Sequence, residues 1–183
     1  IYDYGVTEND TFFYVMELLD GFDLETLVND YGPQPAQRVV SILVQICSSL
    51  AEAHDAGMVH RDIKPANVFL CRAADEVDIV KVLDFGLVRS GGVEIERGAL
   101  GETELEEALG RDSAKITRAN GLLGTPAFMP KEQALGLGVD GRSDLYAVGG
   151  VAYFLLTGRL VFEHANPMNM LFMHVQAELP NIR

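Results

Sequence analysis

His60-Arg61-Asp62-Ile63-Lys64-Pro65-Ala66-Asn67, followed downstream by Asp84-Phe85-Gly86, is the stretch on which the reading of this chain turns. Taken singly, the first is a solvated loop and the second a strand ending in a turn. Taken in this order they gather groups of complementary chemistry. Asp62 can accept a hydrogen bond from an attacking hydroxyl, Lys64 sets a positive charge near a transferred phosphoryl group, and Asn67 and Asp84 are hard oxygen ligands for Mg2+. The pattern points to phosphoryl transfer from a magnesium nucleotide.

Two later stretches extend the pattern: Gly124-Thr125-Pro126-Ala127-Phe128-Met129-Pro130-Lys131-Glu132, and Ser143-Asp144-Leu145-Tyr146 opening the apolar run Ala147 to Leu156. In this order the four resemble the protein kinases, specifically the serine/threonine-type kinases of eukaryotic-like architecture found in bacteria. The resemblance covers nearly the whole chain, and Lys64-Pro65 is similar to the serine/threonine branch. It implies an α+β, protein-kinase-like fold, with a mostly helical large lobe and a small-lobe hairpin remnant. Residues 1–19 would be the C-terminal part of the small lobe and the hinge; residues 20–183 would be the large lobe, truncated at its C-terminal end. No glycine-rich phosphate loop, strand-borne lysine or partner glutamate helix precedes Ile1, so the chain is expected to be a fragment, inactive in isolation.

The resemblance also assigns parts. ATP with Mg2+ is the implied cofactor, its adenine edge facing the main chain of the hinge around Met16, Glu17 and Leu19, with Phe69 beneath the base. Met16 would stand at the back of that pocket, and reads equally as a core methionine of a strand. Asp23 fits either an acid near the ribose or the cap of a short helix over 24–29. His60 is a packed core histidine in an internal spine under Phe85, next to Gly86. Asp144 is a buried carboxylate accepting hydrogen bonds from the catalytic-loop backbone. Glu132 anchors the activation segment; with the proline displaced by one from the family's Ala-Pro-Glu and no late-helix arginine in reach, it is expected to be unpaired. Thr117, then Ser113, are the expected sites of regulatory phosphorylation, with Arg61 as the phosphate's partner and Thr125 a further regulatory position. Protein substrates carrying Ser or Thr are the implied partners.

Composition sets bounds. With 183 residues, 48% of them hydrophobic, there is material for one good core. A net charge of −13 argues against nucleic-acid affinity. No window reaches the roughly eighteen apolar residues of a membrane span, and no leader opens the chain. This segment is expected to be cytoplasmic and to make no membrane contact, which leaves room for an anchor elsewhere in the parent protein. Cys47 and Cys71 read as reduced core thiols, Cys47 on the apolar face of a helix.

Alternation predicts strands over 1–6 and 11–18, joined as a hairpin, and further strands over 68–70 and 77–83. Val39, Ile42, Leu43, Ile46, Leu50 and Ala53 recur at helical spacing, predicting a long helix between Pro35 and Ala56 that Gly57 stops. The helix from Arg142 to Thr157 is apolar nearly all round, which predicts a buried pillar; another is predicted over 166–177. His164 and His174 read as surface residues. Residues 87–123 form a long connection with an acidic stretch, 94–112, that suits a solvated loop or a partner-binding element. A scaffold that binds nucleotide without transfer is the competing function, and intact Asp62, Lys64, Asn67 and Asp84 favour the enzyme. A small-molecule phosphotransferase is a weaker third reading.

Overall fold

The computed structural model describes residues 2–73, 76–85 and 125–180. Gly86, Ser113, Thr117 and the acidic stretch 94–112 therefore lie outside the described residues. Strands β1 (Asp3–Val6) and β2 (Phe12–Val15) form an antiparallel hairpin. A second, three-stranded antiparallel sheet has the order β3 (Gly21–Asp23), β4 (Val68–Ala73), β5 (Glu76–Val82). Helices α1 (Leu24–Tyr31), α2 (Ala36–Asp55), α3 (Lys131–Ala134), α4 (Gly141–Thr157) and α5 (Pro167–Gln176) make up the rest, with short 3-10 turns at Pro65–Asn67 and Pro126–Phe128.

Helix α2 buries Val39, Ile42, Ile46, Leu50 and Ala53, the stripe its spacing predicts, and the chain leaves it through Gly57 at φ 76°. Each fully buried Leu or Ile in this stripe contributes about 2 kcal/mol. Cys47 corrects the expectation of a core thiol: it lies one step round the helix from Ile46 and is exposed. Cys71 is buried, and burial pushes its thiol up.

Helix α4 starts where Asp140 accepts a hydrogen bond from the Arg142 amide at 2.9 Å and ends at Gly158, which takes the left-handed conformation. It packs on α2 and buries Ala147, Val148, Val151, Phe154 and Leu155. One face stays open, with Leu145 52% exposed, so α4 is a wall of the core rather than an all-round pillar. Two glycines permit close approaches. A Cβ at Gly141 would stand 2.7 Å from His54 Nδ1, and one at Gly150 would stand 3.1 Å from Phe128 Cδ1.

The hairpin differs from its predicted alternation. Phe13, Tyr14, Val15 and Met16 are all exposed, since nothing among the described residues covers either face. Met16 is thus not a core methionine.

An ionic clip joins α2 to the sheet. Arg38 donates two hydrogen bonds to the Asp78 carboxylate at 2.6 and 2.7 Å. Gln45 brackets the same stretch, donating to Asp78 O and accepting from Val80 N.

Candidate active site

The loop 60–67 sits between α2 and β4, and its shape is imposed from α4. The Asp144 carboxylate, 1% exposed, accepts from the His60 amide at 2.9 Å and the Arg61 amide at 2.8 Å. Arg61 occupies the left-handed region at φ 69°, a conformation costly for a side-chain-bearing residue unless its surroundings fix it. Two contacts not foreseen from the sequence complete the fixing. His54 Nε2 lies 2.7 Å from Asp144 Oδ2, and Gln133 Nε2 donates to Arg61 O at 3.0 Å. The signal for His54 was faint: a polar residue in the last turn of α2, facing the loop that follows.

His60 is 2% exposed, with its ring 4.8 Å from that of Phe85. Its Nε2 donates to the Leu83 carbonyl at 2.8 Å, and its Nδ1 accepts from the Asp62 amide at 3.3 Å. Both nitrogens are engaged, and the ring ties the loop to Leu83.

Asp62 is the focus of the site. Oδ2 accepts from Lys64 Nζ at 2.7 Å and from Asn67 Nδ2 at 3.1 Å, while the Thr125 amide approaches Oδ1 at 3.4 Å. Asn67 Nδ2 also donates to Asp62 O at 2.9 Å, which fixes the amide orientation, because a flipped side chain would set oxygen against oxygen. Asn67 Oδ1 is thereby turned away from Asp62, and no described residue donates to it.

Asp84 follows directly. Leu83 is pinned at both ends of its peptide unit: its amide donates to Asn67 O at 2.8 Å and its carbonyl accepts from His60. Asp84 then turns at φ 62° and exposes a carboxylate without a hydrogen-bond partner among the described residues. Two oxygen donors, Asn67 Oδ1 and the Asp84 carboxylate, are thus left uncommitted on the two segments that Leu83 joins. Both are of the hard type that suits Mg2+.

On the three-stranded sheet, Phe69 and Lys81 are directly opposed in the β4–β5 register and share a face. Lys81 pairs with Glu17, tying the segment after β2 to the sheet; this hydrogen bond pushes the Lys81 ammonium up. Leu19 is half-buried. Asp23 is occupied as a helix cap: Oδ1 accepts from the Thr26 amide at 2.8 Å and Oδ2 from the Thr26 hydroxyl at 3.0 Å.

Two expectations are corrected. Glu132 is not unpaired, because the Ser143 hydroxyl donates to its carboxylate, linking α3 to α4. His174 is not a surface residue: it is 8% exposed, its Nδ1 2.7 Å from the Tyr146 hydroxyl. Its position three residues after buried Leu171 on α5 was the overlooked signal. His164 is exposed, as expected. A small cavity lies under the loop, between Asp62, Thr125, Phe128, Gln133 and Ala147. No described helix is long and apolar enough to cross a membrane.

Residues 1–182 match the family model of the protein kinase domain. The chain is 38% identical over 180 residues to the serine/threonine-protein kinase pkn3 of Myxococcus xanthus, covering 98% of this chain and 30% of the relative. To Pkn1 of the same organism it is 42% identical over 162 residues, covering 88% of this chain and 20% of the relative. The chain therefore spans less than a third of the length of these relatives. Among solved structures, the kinase domain of PknI from Mycobacterium tuberculosis superposes with a TM-score of 0.60 at 23% identity, covering 88% of this chain and 50% of that one. That likeness is one of fold, the α+β protein-kinase fold. With the family model matched over nearly its full length, this chain belongs to the protein kinase family.

Proposed function

We propose that the protein of which this chain is part is an ATP- and Mg2+-dependent serine/threonine protein kinase that phosphorylates protein hydroxyls. The observation that carries the reading is the convergence on Asp62. Lys64, Asn67 and the main chain of Thr125 all meet one carboxylate, which is the arrangement that places an acceptor alcohol. The names of the relatives agree with it.

In this reading Asp62 accepts the hydrogen bond of the Ser or Thr hydroxyl and orients its oxygen. Lys64, held 2.7 Å from Asp62, keeps a cation beside the path of transfer. Asn67 Oδ1 and Asp84 are the groups that would hold Mg2+; when bound, the magnesium nucleotide supplies the phosphoryl group and the charge that offsets it. Main-chain groups of Met16, Glu17 and Leu19 would meet the adenine, and the Phe69 side chain would floor it. Residues 1–19 act as part of the small lobe and hinge, residues 20–183 as large lobe. The intact quartet Asp62, Lys64, Asn67 and Asp84 favours transfer over a nucleotide-binding scaffold.

The test is transfer from γ-labelled ATP to a synthetic basic peptide with one threonine, using the full-length protein. The wild type transfers label, and Asp62→Asn reduces the rate by about a hundredfold or more. Equal rates for the two proteins would end the proposal.

A further inference from the structure

We propose that His174 is a positioning residue for the acceptor peptide: it supports the Thr125–Phe128 segment from below and makes peptide binding sensitive to protonation. The inference rests on the kinase reading in one respect, namely that the acceptor lies along this segment beside Asp62.

Helix α5 packs against the turn Pro126–Phe128 and against α3. His174 is its buried polar contact there. The Tyr146 hydroxyl lies 2.7 Å from Nδ1, the Phe162 ring meets the imidazole edge-on at 4.9 Å and 83°, Nε2 is buried without a hydrogen-bond partner among the described residues, and the Ala127 main chain is near enough to favour a proton on the ring. Two residues before Ala127, the Thr125 amide reaches Asp62. The imidazole is therefore separated from the acceptor-orienting carboxylate by one short, stiff stretch of main chain.

Its surroundings favour the neutral ring. With the proton on Nε2, Tyr146 donates O–H to Nδ1. A second proton on Nδ1 forces the Tyr146 hydroxyl to turn its hydrogen away, and sets a charge among Phe162, Tyr146 and Ala127. Burial accordingly pushes His174 below its ordinary 6.5, with the Ala127 main chain partly offsetting this. No carboxylate among the described residues pairs with the ring. On α4 the facing group is Tyr146, which burial and Glu132 push up and so keep as a phenol. On α3, Glu132 is engaged by Ser143 and Lys131 is exposed. Residues 126–128 and the rest of α5 carry no ionisable side chain, and Glu163 and His164 beside Phe162 are exposed. A proton on Nδ1 breaks the hydrogen bond from Tyr146 and leaves the Ala127 main chain as the group that favours the charged ring, which draws on the Thr125–Phe128 segment and alters the acceptor's seat.

The experiment measures KM for ATP and for a histidine-free basic peptide carrying one threonine, between pH 5.5 and 7.5, in the full-length kinase and in His174→Leu. Wild-type peptide KM rises about tenfold towards acid, equivalent to about 1.4 kcal/mol; in His174→Leu it is flat, and ATP KM follows the same curve in both. Identical peptide KM profiles in the two proteins, or an ATP KM that moves with the substitution, would overturn the proposal. Should His174→Leu fail to fold, the wild type decides by NMR of selectively labelled full-length protein. The Thr125 and Ala127 amides are expected to titrate with the His174 midpoint, and stationary amides would overturn the role. A wild type that phosphorylates no peptide at any pH counts against the kinase reading alone, and the same amide titration then judges His174 by itself.

Discussion

Lys64 Nζ stands 2.7 Å from Asp62 Oδ2, two residues back along the same loop. Both side chains are partly exposed, so the pair adds little to stability, on the order of 0.5 kcal/mol. Its value is in placing charge. Lys64→Ala in the full-length protein is expected to lower kcat by about a hundredfold with the unfolding midpoint nearly unchanged. Paired measurements of steady-state kinetics and thermal unfolding check this; a midpoint that falls along with kcat would show the pair to be structural.

Asp84 offers a cleaner separation of fold from function. Asn tolerates the left-handed backbone as well as Asp does, and the Asp84 side chain has no partner to lose among the described residues. Asp84→Asn should leave stability within about 0.5 kcal/mol of the wild type while weakening Mg2+ dependence and cutting turnover by about a hundredfold or more. A Mg2+ titration of activity, set beside a denaturant curve, distinguishes this from an inert surface aspartate.

Asp144 is the opposite case. Removing its carboxylate strands three partners, the buried amide of His60, the half-buried amide of Arg61 and the half-buried His54 ring. Asp144→Ala is expected to cost about 3 kcal/mol or more by urea unfolding and to abolish activity together with the loop's shape. A stable but inactive Asp144→Ala protein would contradict this.

The Arg38–Asp78 clip is bidentate, partly shielded, and holds Asp78 at φ 60°. Asp78 pushes the Arg38 guanidinium up, chiefly through the hydrogen bond. Arg38→Ala should destabilise by about 1 kcal/mol in low salt, with a smaller difference in 1 M NaCl. Kinetic constants are expected to stay at wild-type values.

Asp23 can be divided by chemistry. Ser keeps a cap for the Thr26 amide but carries no charge, so Asp23→Ser should retain stability while Asp23→Ala loses about 1 kcal/mol. The ATP KM of the Ser variant then measures any ribose contact, free of folding effects.

Legibility in the sequence followed the range of the interactions. The catalytic loop, the turn at Asp84 and helices α2 and α4 were readable because each is written in adjacent residues or in a period that burial enforces. Asp144's bonds to the loop were available only through the family resemblance, since nothing local to residue 144 points at residue 60. His54, Gln133 and the Arg38–Asp78 clip escaped because each depends on two elements meeting in space, with no repeating pattern to mark it. Cys47 and His174 were misplaced for a related reason. One is a single residue off the buried stripe of α2, and the other is a polar residue sitting on such a stripe, where its hydrogen bond comes from the sequence-distant hydroxyl of Tyr146.

The double pinning of Leu83 has a consequence for how proteins with this site can diverge. Because both main-chain groups of Leu83 are fastened from upstream, by His60 and Asn67, the turn into Asp84 is set by parts of the chain that precede it. Divergence at His60 or Asn67 is therefore felt at Asp84, although neither side chain touches its carboxylate.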